Sequence, residues 1–477
     1  MSPLELAERY VNETSHSLFL TGKAGTGKTT FLRHIVETTH KRHVVLAPTG
    51  VAAINAGGVT IHSFFQLPFC PYLPDVPELV TEYQAMGHRN QLRKNKIDII
   101  RTLELLIIDE ISMVRADLLD AIDATLRRVR RSSQPFGGLQ LLFIGDLHQL
   151  SPVVTDSERP YIERVYSSPY FFCSKALQSM HYDIVELTQV FRQQDAAFVN
   201  LLNQVRSGHP DAATLAALNA RVVPAADESR TADNRKWSVF RKKLSSINSQ
   251  FKKEPILLTT HNHQADAVNQ SRLDALRGRA YTFDATVEGN FPSTSTPADP
   301  HLVLKEGARV MFVKNDSSGG RRYYNGKMAV VSDIDKTDDG YEVTVVDDEG
   351  ETLVVSKEQW ENIRYEMDAD KNIRQQVDGT YTQLPLRLAW AVTIHKAQGL
   401  TFDRVAVDAA AAFTYGQVYV ALSRCRSLEG LTLRSPITAH CVCPAMSRWT
   451  ATTGRPLRLT SCRGRSTATG GSTGCNC

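Results

Sequence analysis

Residues 22–30 read Gly-Lys-Ala-Gly-Thr-Gly-Lys-Thr-Thr, between the apolar run Ser17-Leu18-Phe19-Leu20 and a helix-like stretch from Phe31 to Val36. This spacing suits a nucleoside triphosphate. Gly22, Gly25 and Gly27 let the backbone turn tightly, so that N–H groups along Ala24, Thr26 and Thr30 can meet phosphate oxygens with no Cβ in the way. The N-terminus of the following helix adds a favourable field for the anion. Lys28 then reaches the β- and γ-phosphates, and the Thr29 hydroxyl is placed for Mg2+.

A second motif supplies the acids that such a nucleotide requires. Leu105-Leu106-Ile107-Ile108 is a continuous apolar run, as expected of a strand buried on both faces, and Asp109-Glu110 stands at its end. Asp109 is suited to hold Mg2+ through water. Glu110, one residue on, is suited to act as general base on the attacking water.

The elements that must carry these loops read as a parallel sheet covered by helices, with strands at Ser17–Leu20, His43–Ala47, Leu105–Ile108, Leu139–Ile144 and Asp183–Leu187. Between the second and third strands, Leu67-Pro68-Phe69-Cys70-Pro71-Tyr72-Leu73-Pro74 is too rich in proline for a regular element, which predicts a protruding wedge over about 65–100. The second half restarts with Pro255-Ile256-Leu257-Leu258-Thr259 and ends near Leu431-Thr432-Leu433. The polar, lysine- and arginine-bearing stretch 222–254 reads as a solvated linker between the halves, with DNA contact as the alternative. Alternation such as Tyr341-Glu342-Val343-Thr344-Val345-Val346, punctuated by Asp339-Gly340, Glu349-Gly350 and Asp378-Gly379, predicts hairpins in a small inserted β-barrel.

The segment Pro135-Phe136-Gly137-Gly138-Leu139-Gln140, after the basic helix Leu126-Arg127-Arg128-Val129-Arg130-Arg131, together with Gly145-Asp146 through Gln149-Leu150, resembles the petite-integration-frequency DNA helicases. These form the 5′-to-3′ branch of helicase superfamily one. The resemblance extends from about residue 15 to 435: Ala47-Pro48-Thr49-Gly50-Val51-Ala52-Ala53 and Gly58-Val59-Thr60-Ile61-His62-Ser63-Phe64 resemble DNA-contacting motifs. Leu187-Thr188-Gln189-Val190-Phe191-Arg192 resembles motif four, Thr393-Ile394-His395-Lys396-Ala397-Gln398-Gly399-Leu400-Thr401 motif five, and Tyr419-Val420-Ala421-Leu422-Ser423-Arg424 motif six. Two departures stand out: Leu150-Ser151-Pro152 replaces the family's Leu-Pro-Pro, and residues 1–20 lack the glutamine that commonly reads adenine, with only Asn12 offering a similar amide.

What the resemblance implies is an α/β protein with two RecA-like P-loop parallel-sheet domains, 1–187 and 188–318 with 386–437, an SH3-like β domain over 319–385 and the short wedge. Gln149 would sense the γ-phosphate, Arg192 and Arg424 would reach it across the cleft, and Gly399 would lie at the nucleotide. Thr49, Gly50, Thr60, Ser63 and Thr393 suit DNA phosphates, Lys396 joins them in motif five, and His62, Phe64 and His395 offer flat faces for bases, with a buried core aromatic as the equal alternative for Phe64. The implied activity is ATP-dependent 5′-to-3′ movement on single-stranded DNA with unwinding of tailed duplex, extending to G-quadruplexes, in repair, recombination or genome and telomere maintenance. The implied cofactors are ATP and Mg2+. A DNA-stimulated translocase with little unwinding is the alternative, and a DNA-binding scaffold with a degenerate ATPase is opposed by the intact motifs.

Composition narrows less than the motifs do. The 477 residues hold 55 Lys plus Arg against 51 Asp plus Glu, so a net charge of +4 requires any DNA contact to come from local basic surface. No apolar run reaches the length of a membrane span and the N-terminus has no signal core, which predicts a cytoplasmic location, at the nucleoid in a prokaryote; a monomer is expected. From residue 438 to 477 the chain is rich in Ser, Thr, Gly and Arg and lacks apolar periodicity, so a disordered tail is expected. His440, Cys441 and Cys443 lack the usual Cys-x-x-Cys spacing of a zinc site. A chain ending at Ile437 should therefore keep its thermal transition and its DNA-stimulated ATPase. Unfolding of that shortened chain in a thermal melt would overturn the tail assignment.

Overall fold

The computed structural model describes residues 1–76, 92–192, 195–223, 254–293, 296–317, 322–337, 340–368, 370–412 and 416–438. Most of the expected linker, the middle of the wedge (77–91) and the tail after Thr438 lie outside the described residues, as do His440, Cys441 and Cys443.

The first lobe is built on six parallel strands: β1 (Leu18–Gly22), β2 (His43–Ala47), β3 (Val59–Thr60), β4 (Leu105–Ile108), β5 (Gln140–Gly145) and β6 (Asp183–Leu187). Their order across the sheet is β3-β2-β4-β5-β1-β6, with every pairing parallel. Successive side chains of a strand face opposite ways, so each apolar run feeds two cores. Phe19, Val44, Leu46, Leu106, Ile108, Leu141 and Phe143 join one core, where Leu119, Ile122 and Leu126 of the helix Ala116–Arg130 cover them. Leu18, Leu20, Val45, Leu105, Ile107, Leu142 and Ile144 join the other, under Ala7 and Val11 of the helix Pro3–Glu13 and Phe31, Leu32 and Ile35 of the helix Lys28–Thr38. The two-residue strand β3 and the first helix were not legible as elements in the sequence.

The second lobe has a four-stranded parallel sheet in the spatial order Ala391–Thr393, β7 (Ile256–Thr259), Val405–Asp408, Leu431–Ser435. Phe198, Leu202 and Val205 of the helix Ala196–Ser207 and Val418, Tyr419 and Leu422 of the helix Gln417–Leu422 pack in its core. Inserted between β7 and the rest is β structure. A five-stranded antiparallel sheet includes Met328–Thr337, Gly340–Asp347 and Thr352–Val355, and it reaches beyond 319–385 on both sides through Arg309–Phe312 and Leu386–Leu388.

A long hairpin, Glu358–Met367 with Ile373–Gln383, leaves that sheet and pairs instead with Thr286–Gly289. It is an arm that lands on the first lobe. Tyr365 is buried in the first lobe's core, and the Val45 N–H donates to its hydroxyl at 2.9 Å. Gln375 Nε2 donates to the Gly57 carbonyl at 3.1 Å. No helix among the described residues is long and apolar enough to cross a membrane.

The Tyr365 contact generates a stability prediction. Tyr365→Phe keeps the ring but leaves the buried Val45 N–H without a partner, an omission worth about 1–3 kcal/mol. Chemical denaturation followed by tyrosine and tryptophan fluorescence should show the loss, and an unshifted midpoint would mean that water replaces the hydroxyl.

Candidate nucleotide and DNA site

Parallel strands end on one edge of a sheet, so the loops after β1, β4 and β5 converge. The loop after β1 adopts left-handed conformations at Gly25 (φ 77°) and Gly27 (φ 92°), which a side chain would strain. At Gly25 a Cβ would also collide with the Cβ of Arg192, so the glycine lets the two segments close together. Lys28 Nζ donates to the carbonyls of Gly22, at 2.6 Å, and Lys23, at 3.0 Å. Burial pulls its pKa down, opposed by the charges of Asp146 and Glu110. Thr29 and Thr30 open the helix with exposed side chains, while Ala24 and Thr26 are buried in the loop.

At the end of β4, Asp109 N–H donates to the Leu46 carbonyl at 2.9 Å, and Glu110 sits in the left-handed region at φ 52°. Such a conformation is uncommon for a side-chain-bearing residue and clusters at functional positions. Burial, reinforced by the neighbouring Asp109, raises the Glu110 carboxyl to about 8. Burial likewise raises Asp109 to about 6. After β5, Asp146 is fully buried and accepts from Gln149 Nε2 at 3.2 Å and from Arg206 Nη2 at 3.0 Å. Burial alone would raise its pKa, but Arg206 and then Lys28 hold it well below the usual carboxylate range.

The second lobe closes the other side. Arg192 Nη2 donates to the Gly399 carbonyl at 2.8 Å, and its Nη1 is buried without a hydrogen-bond partner. Arg424, 1% exposed, donates to the carbonyls of Val420 and Leu400 at 2.8 and 3.3 Å and to the Ser423 hydroxyl at 2.7 Å. Burial, and then the charge of Arg192, pulls it down to about 9. Ala24 N–H donates to the Tyr419 hydroxyl at 3.3 Å, and Gln398 Nε2 to Gln149 Oε1 at 3.4 Å. An orphaned guanidinium nitrogen beside crowded cations fits a bound polyphosphate, and Thr29 with Asp109 supplies the oxygen donors that Mg2+ prefers.

Two residues at this cleft escaped sequence reasoning. Arg206 gives no local signal, because its partner Asp146 lies sixty residues away. Phe191 was noticed only as part of a motif. Its ring is 60% exposed while its N–H donates to the Gly25 carbonyl at 2.9 Å, which leaves an aromatic face beside the phosphate loop.

The residues expected to touch DNA fall into two groups. Thr49 and Thr60 cap the short helices Gly50–Ala56 and Ile61–Phe65 at the ends of β2 and β3, and Ser63 is exposed one turn on. Thr393 ends an edge strand of the second sheet, with half-buried His395 and Lys396 in the turn that follows. Burial lowers the pKa of both His62 and His395, which favours the neutral ring and suits both to stacking more than to pairing with phosphate. Phe64 takes the second of its two expected places. It is 1% exposed and meets Phe65 and Tyr365 edge-on, so its ring belongs to the core and has no face for a base. The aromatic that is available instead is Phe69, 88% exposed and stacked on His62 at 4.5 Å, at the start of the proline-rich segment.

Comparison with known proteins agrees with this geometry. A family model described as PIF1-like helicase matches residues 4–214. The ATP-dependent DNA helicase PIF1 of Homo sapiens is 34% identical over 459 residues, covering 93% of this chain and 63% of the human protein, so this chain spans under two thirds of that relative. Pif1 from Bacteroides sp in complex with ADP-AlF4 is similar with a TM-score of 0.80 and 37% identity, over 95% of this chain and 97% of that one. Bacteroides Pif1 bound to ssDNA is similar with a TM-score of 0.61 and 38% identity, over 94% and 96%.

A raised Glu110 sets a pH dependence. Below about 8 the free protein holds Glu110 protonated and unable to accept a proton, so kcat/KM for ATP should climb with pH and level off above that value. Glu110→Gln should remove nearly all turnover. A wild-type profile that is flat between pH 6 and 9 would remove Glu110 from the role of base.

Proposed function

This chain belongs to the PIF1-like helicase family, and from that premise we propose that it is an ATP-driven motor moving 5′ to 3′ along single-stranded DNA and unwinding tailed duplex. The observation that carries the reading is the cleft itself: Arg192 reaches from its edge with a buried, unpartnered nitrogen toward a loop built for phosphate. ATP with Mg2+ supplies the phosphoryl group that is transferred to water. Every other part of the cycle falls to side chains of this chain.

Lys28 exchanges its two carbonyl partners for phosphate oxygens, and Glu110 takes the proton of the attacking water. Thr29 and Asp109 are the residues that would hold the metal. Arg192 and Arg424 neutralise charge developing on the transferred group, which ties closure of the second lobe to the presence of triphosphate. Phe191 offers its exposed ring to the base, a contact that makes up for the missing upstream glutamine.

For DNA, Thr49, Gly50, Thr60, Ser63, Thr393 and Lys396 take backbone phosphates while His62 and His395 stack on bases. Binding is tolerant of sequence, because every base has a π-face. A relative bound to ssDNA supports this partner. The reading treats the protein as a monomer acting on DNA of the cytoplasm.

Two duplexes of equal length, one tailed at the 5′ end and one at the 3′ end, test the proposal. The 5′-tailed duplex should open with ATP and Mg2+. Lys28→Ala should abolish opening, and Arg192→Ala or Arg424→Ala should lower kcat by about 10³. Opening of the 3′-tailed duplex alone would reverse the polarity, and DNA-stimulated hydrolysis without opening of either would make the protein a translocase.

A further inference from the structure

The ion pair between Arg206 and Asp146 joins the two lobes at the point where nucleotide and DNA sites meet. Arg206 projects from the helix Ala196–Ser207, whose Phe198, Leu202 and Val205 are anchored in the second lobe's core. Asp146 ends the first lobe's strand β5. Their side chains are 12% and 0% exposed and 3.0 Å apart. Asp146 in turn holds Gln149, whose Nε2 donates to Asp146 Oδ2 at 3.2 Å while its Oε1 accepts from Gln398 at 3.4 Å. Gln398 N–H donates to the His395 carbonyl at 3.2 Å, in the turn proposed to grip DNA.

The Gln149 amide has two N–H donors, one of them given to Asp146, and turning the amide toward a γ-phosphate would loosen that bond. When triphosphate draws the amide away, Asp146 remains a buried carboxylate that needs another donor in place. Arg206 is the charged donor that stays, beside the His148 N–H, which donates to Asp146 Oδ1 at 3.2 Å. Resting on the functional reading above, we propose that Arg206 is a positioning residue: by holding Asp146 from the second lobe it frees Gln149 to switch between Asp146 and the nucleotide, and so couples ATP turnover to DNA through Gln398. It touches neither substrate.

Steady-state ATP hydrolysis with and without oligo-dT, on the full chain, tests this. Arg206→Gln should cut the DNA stimulation of kcat by about tenfold, the scale of ordinary site-to-site coupling, while KM for ATP moves by less than about threefold. Arg206→Lys, which keeps the charge but loses the fork, should fall between Gln and wild type. Because the pair acts as a unit, Asp146→Asn combined with Arg206→Gln should be no worse than the worse single change.

Undiminished stimulation in Arg206→Gln, or losses that add in the double variant, would overturn the inference. Should Arg206→Gln fail to fold, Arg206→Lys decides in the same way: reduced stimulation at unchanged KM supports the role and full stimulation ends it. Absence of DNA stimulation in the wild type is a different result, which removes the functional reading and this inference together.

Discussion

An excess of buried positive charge at one cleft is the constraint on which the rest of the structure depends. Lys28, Arg192, Arg206 and Arg424 converge there, and of the carboxylates present, Asp146 is committed to Arg206 while burial disfavours ionisation of Asp109 and Glu110. Among the described residues neither Arg192 nor Arg424 forms an ion pair. Uncompensated charge in a low dielectric is costly, so the arrangement is complete only around an anion. The local backbone serves the same end. Gly416, at φ 82°, is packed so close to the Gln149 carbonyl that a Cβ would collide with it, and Gly25 stands in the same relation to Arg192.

The hairpin arm imposes a second tie between lobes, on a different principle. Strand β3 is two residues long and covers only Leu46 and Ala47 of β2, leaving Val45 at an open sheet edge. An unpaired edge N–H in a buried place needs a partner. Tyr365 provides it from more than three hundred residues away, and its ring joins the core beside Phe64. The same event therefore satisfies a backbone donor and removes Phe64 from the surface where the sequence suggested it might meet a base.

What the sequence made legible is whatever depends on neighbours along the chain. The phosphate loop, the acidic pair after four aliphatics, and the strands at His43–Ala47, Leu105–Ile108 and Asp183–Leu187 are local patterns, and the structure has those strands with the same bounds. Contacts between distant segments were not legible. Arg206 with Asp146 and Tyr365 with Val45 involve residue types that are unremarkable where they stand, and only the fold brings them together. The five-stranded sheet runs past 319–385 for a related reason: Arg309–Phe312 and Leu386–Leu388 carry no turn signal to announce that they join a sheet begun elsewhere.

The segment around Phe136-Gly137-Gly138-Leu139-Gln140, which suggested the family first, acts far from the chemistry. Phe136 and Gly137 both lie in the left-handed region, and Arg130 Nε donates to the Gly137 carbonyl at 3.0 Å to hold the turn. Buried Gln140 donates to the carbonyls of Tyr10 and His16 at 3.1 and 2.8 Å and accepts from Lys41 at 2.7 Å, so its amide bridges three segments. These bonds pin the start of β5. A strand of this length carries the fixed point about 20 Å along, and a one-residue slip would turn every side chain to the opposite face. Asp146 and Gln149 lie just past its far end, so the clamp at Gln140 sets the register in which Asp146 meets Arg206 and Gln149 meets Gln398.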